Sequence, residues 1–204
     1  LFPGGGLPLR IFEPRYRAML KDCLAGDRRF GVVSIRSGQE IGGTAVPYDI
    51  GTVAVIESVD EESREAIPIE TRGTDRFRIV SMDRSGEDLT GNVEILGDHL
   101  DAAAGPAAER ADREATRYLS LLFTFNGEYE HKLILPEGPL ELSYLLGTVL
   151  LSRPAGVRQA MLEAETVSKR LEIAIAELLK SISELESGLM RSGPGENRSI
   201  FGLN

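Results

Sequence analysis

One cysteine, two histidines, four lysines and no tryptophan are found among 204 residues, and each scarcity removes a class of chemistry. With Cys23 alone, an internal disulfide, a CxxC redox pair and a cysteine zinc site are all excluded, and a reducing, cytoplasmic setting is expected. His99 and His131 stand far apart in polar stretches, where solvated loop residues are the simpler reading than a general base. None of Lys21, Lys132, Lys169 or Lys180 completes a GxxxxGK[ST] loop, no serine sits in a GxSxG elbow, and Gly4 to Gly6 does not continue as GxGxxG. No cofactor, metal or catalytic residue is therefore expected, and the chain reads as a non-enzyme. Long apolar runs are lacking too. The best, Leu140 to Leu151, is shorter than the roughly 20 residues of a membrane span and is interrupted by Gly147.

What the chain does contain is 42% apolar and 27% charged residues, a globular balance, with a net charge of -9 that disfavours phosphate backbones and anionic lipid. The charge is uneven. Arg10 to Arg36 holds seven basic and three acidic residues, a net of +4 that leaves the remainder at -13, so this segment suits an acidic partner. The chain opens at Leu1 with neither an initiator Met nor a signal-peptide run, as a trimmed chain would. Asn197-Arg198-Ser199 matches a glycosylation acceptor, a pattern too short to carry weight alone.

Residues 1–97 read as strands with one helix inserted. Pro14 suits the first helical position, Tyr16, Met19, Leu20, Cys23 and Leu24 share a face, and Gly26 supplies the stop. Strands are expected over 30–35, 51–59, 66–71, 76–82 and 90–96, with a break at Gly73 and with Pro68 marking an edge or bulge. Such short strands without intervening helices predict a small barrel or sandwich. After a connector over 98–105 the apolar period lengthens, and residues 98–186 read as a helical bundle. One helix follows Pro106, with Ala111, Ala115, Tyr118, Leu119, Leu122 and Phe125 on one face before Asn126-Gly127. A second spans Leu140 to Leu151, and a short third covers Val157 to Glu163. A fourth carries the stripe Val167, Leu171, Ala174, Ile175, Leu178, Ile182 and Leu185. Its other face, with Glu172, Glu177, Lys180, Glu184 and Glu186, reads as solvated, and residues 187–204 as a flexible tail.

The run Leu7-Pro8-Leu9-Arg10-Ile11-Phe12-Glu13-Pro14-Arg15-Tyr16-Arg17-Ala18-Met19-Leu20, continued by Gly26-Asp27-Arg28-Arg29-Phe30-Gly31-Val32-Val33, resembles the signature of the Lon protease N-terminal, substrate-binding domain family. Further matches follow in order at Gly51-Thr52-Val53-Ala54, Arg76-Phe77-Arg78-Ile79, Leu142-Ser143-Tyr144-Leu145-Leu146 and Arg158-Gln159-Ala160. The resemblance covers residues 1–185. It implies an α+β fold in which a PUA-like small β-barrel with an inserted helix precedes an α-helical bundle subdomain. It also implies a stand-alone module that holds unfolded or exposed polypeptide segments, as an adaptor or accessory to a protease, without the family's ATPase and protease domains. Members usually carry an apolar strand ahead of the Leu1-Phe2-Pro3-Gly4 position, and a barrel lacking it exposes a sheet edge. The aromatic cage of the cereblon branch contains Trp, which this chain lacks, so that ligand is not implied.

Arg10, Phe12, Arg15, Tyr16, Arg17, Arg28, Arg29 and Phe30 form the candidate polypeptide-binding set, because arginine presents planar donors to carboxylates and an aromatic ring supplies apolar area. The local physics of Glu13-Pro14-Arg15-Tyr16 is equally well explained by helix initiation. Phe12, Phe30, Tyr118 and Phe125 would line an apolar strip, placed at a crease between the two regions or along an open strand edge, although each alone is more simply core. RNA binding by the barrel is the competing reading, against which the charge balance and scarcity of lysine argue.

Overall fold

The computed structural model describes residues 1–39, 45–60, 65–83, 89–125, 134–150 and 152–191, and the chain divides into two compact units, Leu1–Asp98 and His99–Asn204. His131, Asn126-Gly127 and the Asn197 acceptor lie outside the described residues.

The first unit contains the strands β1 (Gly6–Ile11), β2 (Arg29–Val32), β3 (Ile35–Ser37), β4 (Val46–Pro47), β5 (Ile50–Val59), β6 (Ile67–Asp83) and β7 (Thr90–Leu96) and one helix, α1 (Pro14–Ala25). Helix α1 starts where Pro14 fixes φ and ends where Gly26 donates its N–H to the carbonyls of Asp22 and Cys23. It lays Leu20 into a cluster with Ile11, Ile56 and Ile69, around which Leu9, Tyr16, Cys23, Leu24, Phe30, Val59 and Ile67 are partly buried.

The expected strands on either side of Gly73 are one continuous β6. Gly73 does not turn the chain. It lets Phe2 cross, since a Cβ there would run into the Phe2 carbonyl oxygen. The long β6 serves β5 along one edge and takes β1 and then β7 end to end along the other. Strand β2 extends the sheet beyond β5, and β3 with β4 makes a separate small ribbon. The α+β fold expected from the sequence is present, and among the described residues no ladder joins β2 to β1 or β7. Pro68 lies within this central strand and not on an edge. Its carbonyl accepts from Asp60 N at 2.9 Å just past β5, so its missing donor falls where the ladder has run out.

The second unit comprises α2 (Ala104–Phe125), α3 (Pro139–Val149), α4 (Ala155–Glu163) and α5 (Val167–Arg191). Leu142, Leu146, Leu150, Met161, Val167, Leu171 and Leu178 are fully buried, and the small residues Ala107, Ala111 and Ala115 let α2 lie close against α5. The buried guanidinium of Arg170 donates to Met161 O and Ser143 Oγ, both at 3.1 Å, and stacks 4.2 Å from the Tyr144 ring centroid. Two sequence expectations change here. Helix α5 runs to Arg191, past the point at Glu186 where a flexible tail was expected. Its second face is not simply solvated: Glu177 is buried, paired with Arg153 at 3.0 Å and with Lys180, while Glu172 and Glu186 reach Arg110 and Arg117 of α2, each at 2.6 Å.

Candidate polypeptide-binding surface

The candidate residues separate into two groups at opposite ends of α1. At the β1–α1 corner stand Arg10, Phe12, Arg15, Tyr16 and Arg17; beyond the helix C-terminus stand Arg28, Arg29 and Phe30. Phe12 occupies the position before the helix cap, where an apolar side chain often packs against the first turn. Its counterpart there is Arg17, whose Nε donates to Phe12 O at 3.3 Å and whose terminal nitrogen donates to Glu65 O at 2.7 Å. The Phe12 ring therefore has no staple and is 64% exposed.

Around it the arginines differ. Arg10, at the end of β1, is exposed. Arg15 pairs with Glu13 at 2.9 Å and lies 4.5 Å from the Tyr16 ring centroid, so it shields an aromatic side chain whose other face meets the core. Arg28 and Phe30 make contacts within the fold. Arg28 adopts φ 63, donates its Nε to Ile56 O at 3.0 Å and accepts from Ile56 N at 2.9 Å through its carbonyl, tying the turn to β5. Arg29 is exposed, with Asp27 at 3.9 Å, a separation of little energetic value at a surface. Of the remaining candidates Tyr118 is buried in α2, where desolvation holds its phenol above the usual range, and the Phe125 side chain lies outside the described residues. Cys23 donates its thiol to Arg29 O at 3.2 Å. No group of three or more metal-ligating side chains occurs among the described residues.

This geometry is that of a corner presenting one largely exposed aromatic ring beside arginines. The chain matches the family model for the ATP-dependent protease La (LON) substrate-binding domain over residues 1–180. It belongs to the Lon substrate-binding domain family. A Lon N-terminal domain protein from Xanthomonas campestris has the same fold, with 27% identity, a TM-score of 0.62, and 86% of this chain and 91% of that one covered. The N-terminal domain of a Mycobacterium avium complex Lon protease is similar in fold, with 16% identity, a TM-score of 0.66, and 90% and 92% covered. Lon protease 2 of Myxococcus xanthus is 33% identical over 98 residues, which are 48% of this chain and 12% of that protein. Cereblon of Danio rerio is 29% identical over 104 residues, 49% of this chain and 24% of its own length. The chain thus spans a minor part of the curated relatives it matches.

Sequence reasoning missed one surface. Val80, Met82, Leu89, Val93 and Ile95 on β6, β7 and their approach are all exposed, Val80 to 67% and Ile95 to 56%. Val93 and Ile95 alternate with Asn92 and Glu94, the pattern of a strand with one apolar face. The signal available was the lack of any later strand to cover it. Among the described residues no helix is long and apolar enough to cross a membrane.

Proposed function

We propose that this Lon substrate-binding domain acts without catalysis of its own, holding unfolded or exposed polypeptide segments as an adaptor or accessory to a protease, in the cytoplasm. The observation that carries this reading is the family match over residues 1–180, and the exposed Phe12 supplies a place for the contact. An aromatic ring that is already in water, beside the exposed Arg10 and the Glu13–Arg15 pair, offers apolar area to an incoming side chain without disturbing the core. Arg10, Arg15, Arg17 and Arg29 add planar donors for the carboxylates and carbonyls of an extended chain. Tyr16 supports the corner from the core side, while Arg28 and Phe30 lie at the other end of α1.

The test is binding of a reduced and alkylated, permanently unfolded protein, measured by fluorescence anisotropy with the full chain and with Phe12→Ala. Loss of an aromatic contact of roughly 1–2 kcal/mol weakens binding by about tenfold, while the thermal midpoint changes little because most of the Phe12 side chain is already in water. Background binding by the parent chain overturns the function. Undiminished binding by the variant overturns the location alone.

A further inference from the structure

Strand β1 sets a charge and an aromatic ring in line. Exposure alternates along it: Leu7, Leu9 and Ile11 are the more buried, while Gly6, Pro8 and Arg10 face out. Phe12 continues the outer row, so Arg10 and Phe12 stand two residues, about 7 Å, apart on one exposed face. The charge of Arg10 is available to a ligand. Among the described residues it makes no ion pair; Pro68, opposite it on β6, is uncharged, and Glu70 lies one pair further along, opposite Pro8. Glu13, the next carboxylate along the chain, is held by Arg15 at 2.9 Å. Arg10, Arg15 and Arg17 against Glu13 leave residues 10–17 with a net charge of +2. The whole chain carries -9, but exposed charges more than about 8 Å away are largely screened at physiological salt, so an incoming segment meets the local surplus.

We infer that this corner selects client segments in which an acidic residue stands two positions from an apolar one. On the polypeptide-binding reading above, on which this rests, the client lies extended against β1. An extended chain repeats its side chains on one face at every second residue, with the same spacing of about 7 Å that separates Arg10 from Phe12. Its apolar side chain meets the Phe12 ring while its carboxylate accepts from the planar donors of the Arg10 guanidinium. An acid at the adjacent position points to the opposite face and misses Arg10. A basic residue at the second position is repelled. A helical client offers no such pair, since residues two apart do not face the same way on a helix.

The test is fluorescence anisotropy of labelled peptides with the full chain. Thr-Asp-Thr-Phe-Thr-Asp-Thr has its acids two positions from the ring, and Thr-Thr-Asp-Phe-Asp-Thr-Thr has the same composition with the acids adjacent to it. The first is expected to bind about threefold tighter than the second, and than its own Asn counterpart, the scale of one exposed ion pair, with its Lys counterpart weaker still. The preference fades at about 1 M salt. Arg10→Gln is expected to erase it, whereas Arg36→Gln, which takes the same charge from the exposed strand β3, keeps it. Circular dichroism checks that both variants stay folded. Equal binding of the two orders overturns the inference, as does a preference that survives Arg10→Gln, one that Arg36→Gln also removes, or tighter binding of the Lys peptide. The permanently unfolded protein is measured beside the peptides. If it binds while no peptide does, the spacing of acid and apolar residue falls and the capture of polypeptide stands; if nothing binds, both fall.

Discussion

Gly73 shows what a single residue reveals and conceals in this chain. Its N–H donates to Gly5 O at 2.9 Å and its carbonyl accepts from Gly4 N at 2.8 Å, while Phe2 passes over the bare Cα. A methyl group there meets backbone atoms of Phe2, which cannot rotate away as a side-chain tip would. Gly73→Ala is therefore expected to destabilise the first unit by about 2 kcal/mol, the scale of overpacking, measured by urea denaturation. Gly97→Ala is the control, since nothing lies within 4 Å of its added carbon, and its stability should stay within about 0.5 kcal/mol of the parent. The sequence showed that Gly73 mattered but not why. A glycine between two β-rich runs reads locally as a turn, and the constraint that fixes it comes from a residue some seventy positions earlier. Phe12 is the opposite case: it was legible as a candidate, and its exposure follows from Arg17 standing where an apolar partner would be needed.

At the scale of elements, those whose ends carry local chemistry were legible. Helix α1 runs from its proline to its glycine as expected. Helix α5 was legible along its buried stripe and misread on its other face, because the arginines that meet that face come from positions distant in sequence. Its N-terminus is likewise built from afar. Thr166 Oγ1 accepts from Lys169 N at 3.2 Å, and the Asp101 carboxylate accepts from Ser168 N at 3.2 Å and from Ser168 Oγ at 2.6 Å. The Ser168 hydroxyl bond, foremost, holds the Asp101 carboxyl below the usual carboxylate range. A depressed folded value means stability that is present above the unfolded value of roughly 3.9 and is lost as pH falls through the folded one. Asp101→Asn is thus expected to lower the thermal midpoint at neutral pH, with the gap to the parent narrowing as the parent's carboxyl protonates. Melting curves across the acid range check this. A gap of constant size would show that the carboxylate charge is not what the α5 terminus uses.

For the whole molecule, the change in apolar period after Leu96 pointed to two regions, whereas the order of the strands in the sheet was not legible, because pairing partners are set by distant strands. Each side of the Asp98–His99 boundary carries bonds within its own unit. Asp98 pairs with Arg76 at 3.0 Å in the first, and in the second His99 O accepts from Val167 N at 3.0 Å while Asp101 binds Ser168. The two cores differ in depth. The second unit fully buries Leu142, Leu146, Leu150, Met161, Leu171 and Leu178, side chains each contributing roughly 1.5–3 kcal/mol, and encloses Arg170 with its acceptors. The first centres on Ile11, Leu20, Ile56 and Ile69, buries Phe2, Ile50, Ala54 and Phe77 besides, and leaves Val93 and Ile95 of β7 exposed. Residues 99–204 expressed alone are accordingly expected to keep a helical circular dichroism spectrum and to unfold in one cooperative step. Residues 1–98 should fold more weakly and melt at a lower temperature, so the full chain shows two transitions, the β-rich one first. A random-coil spectrum for 99–204, or one coincident transition in the full chain with neither fragment folded, would mean that the cores stabilise each other and that the boundary does not separate independent folding units.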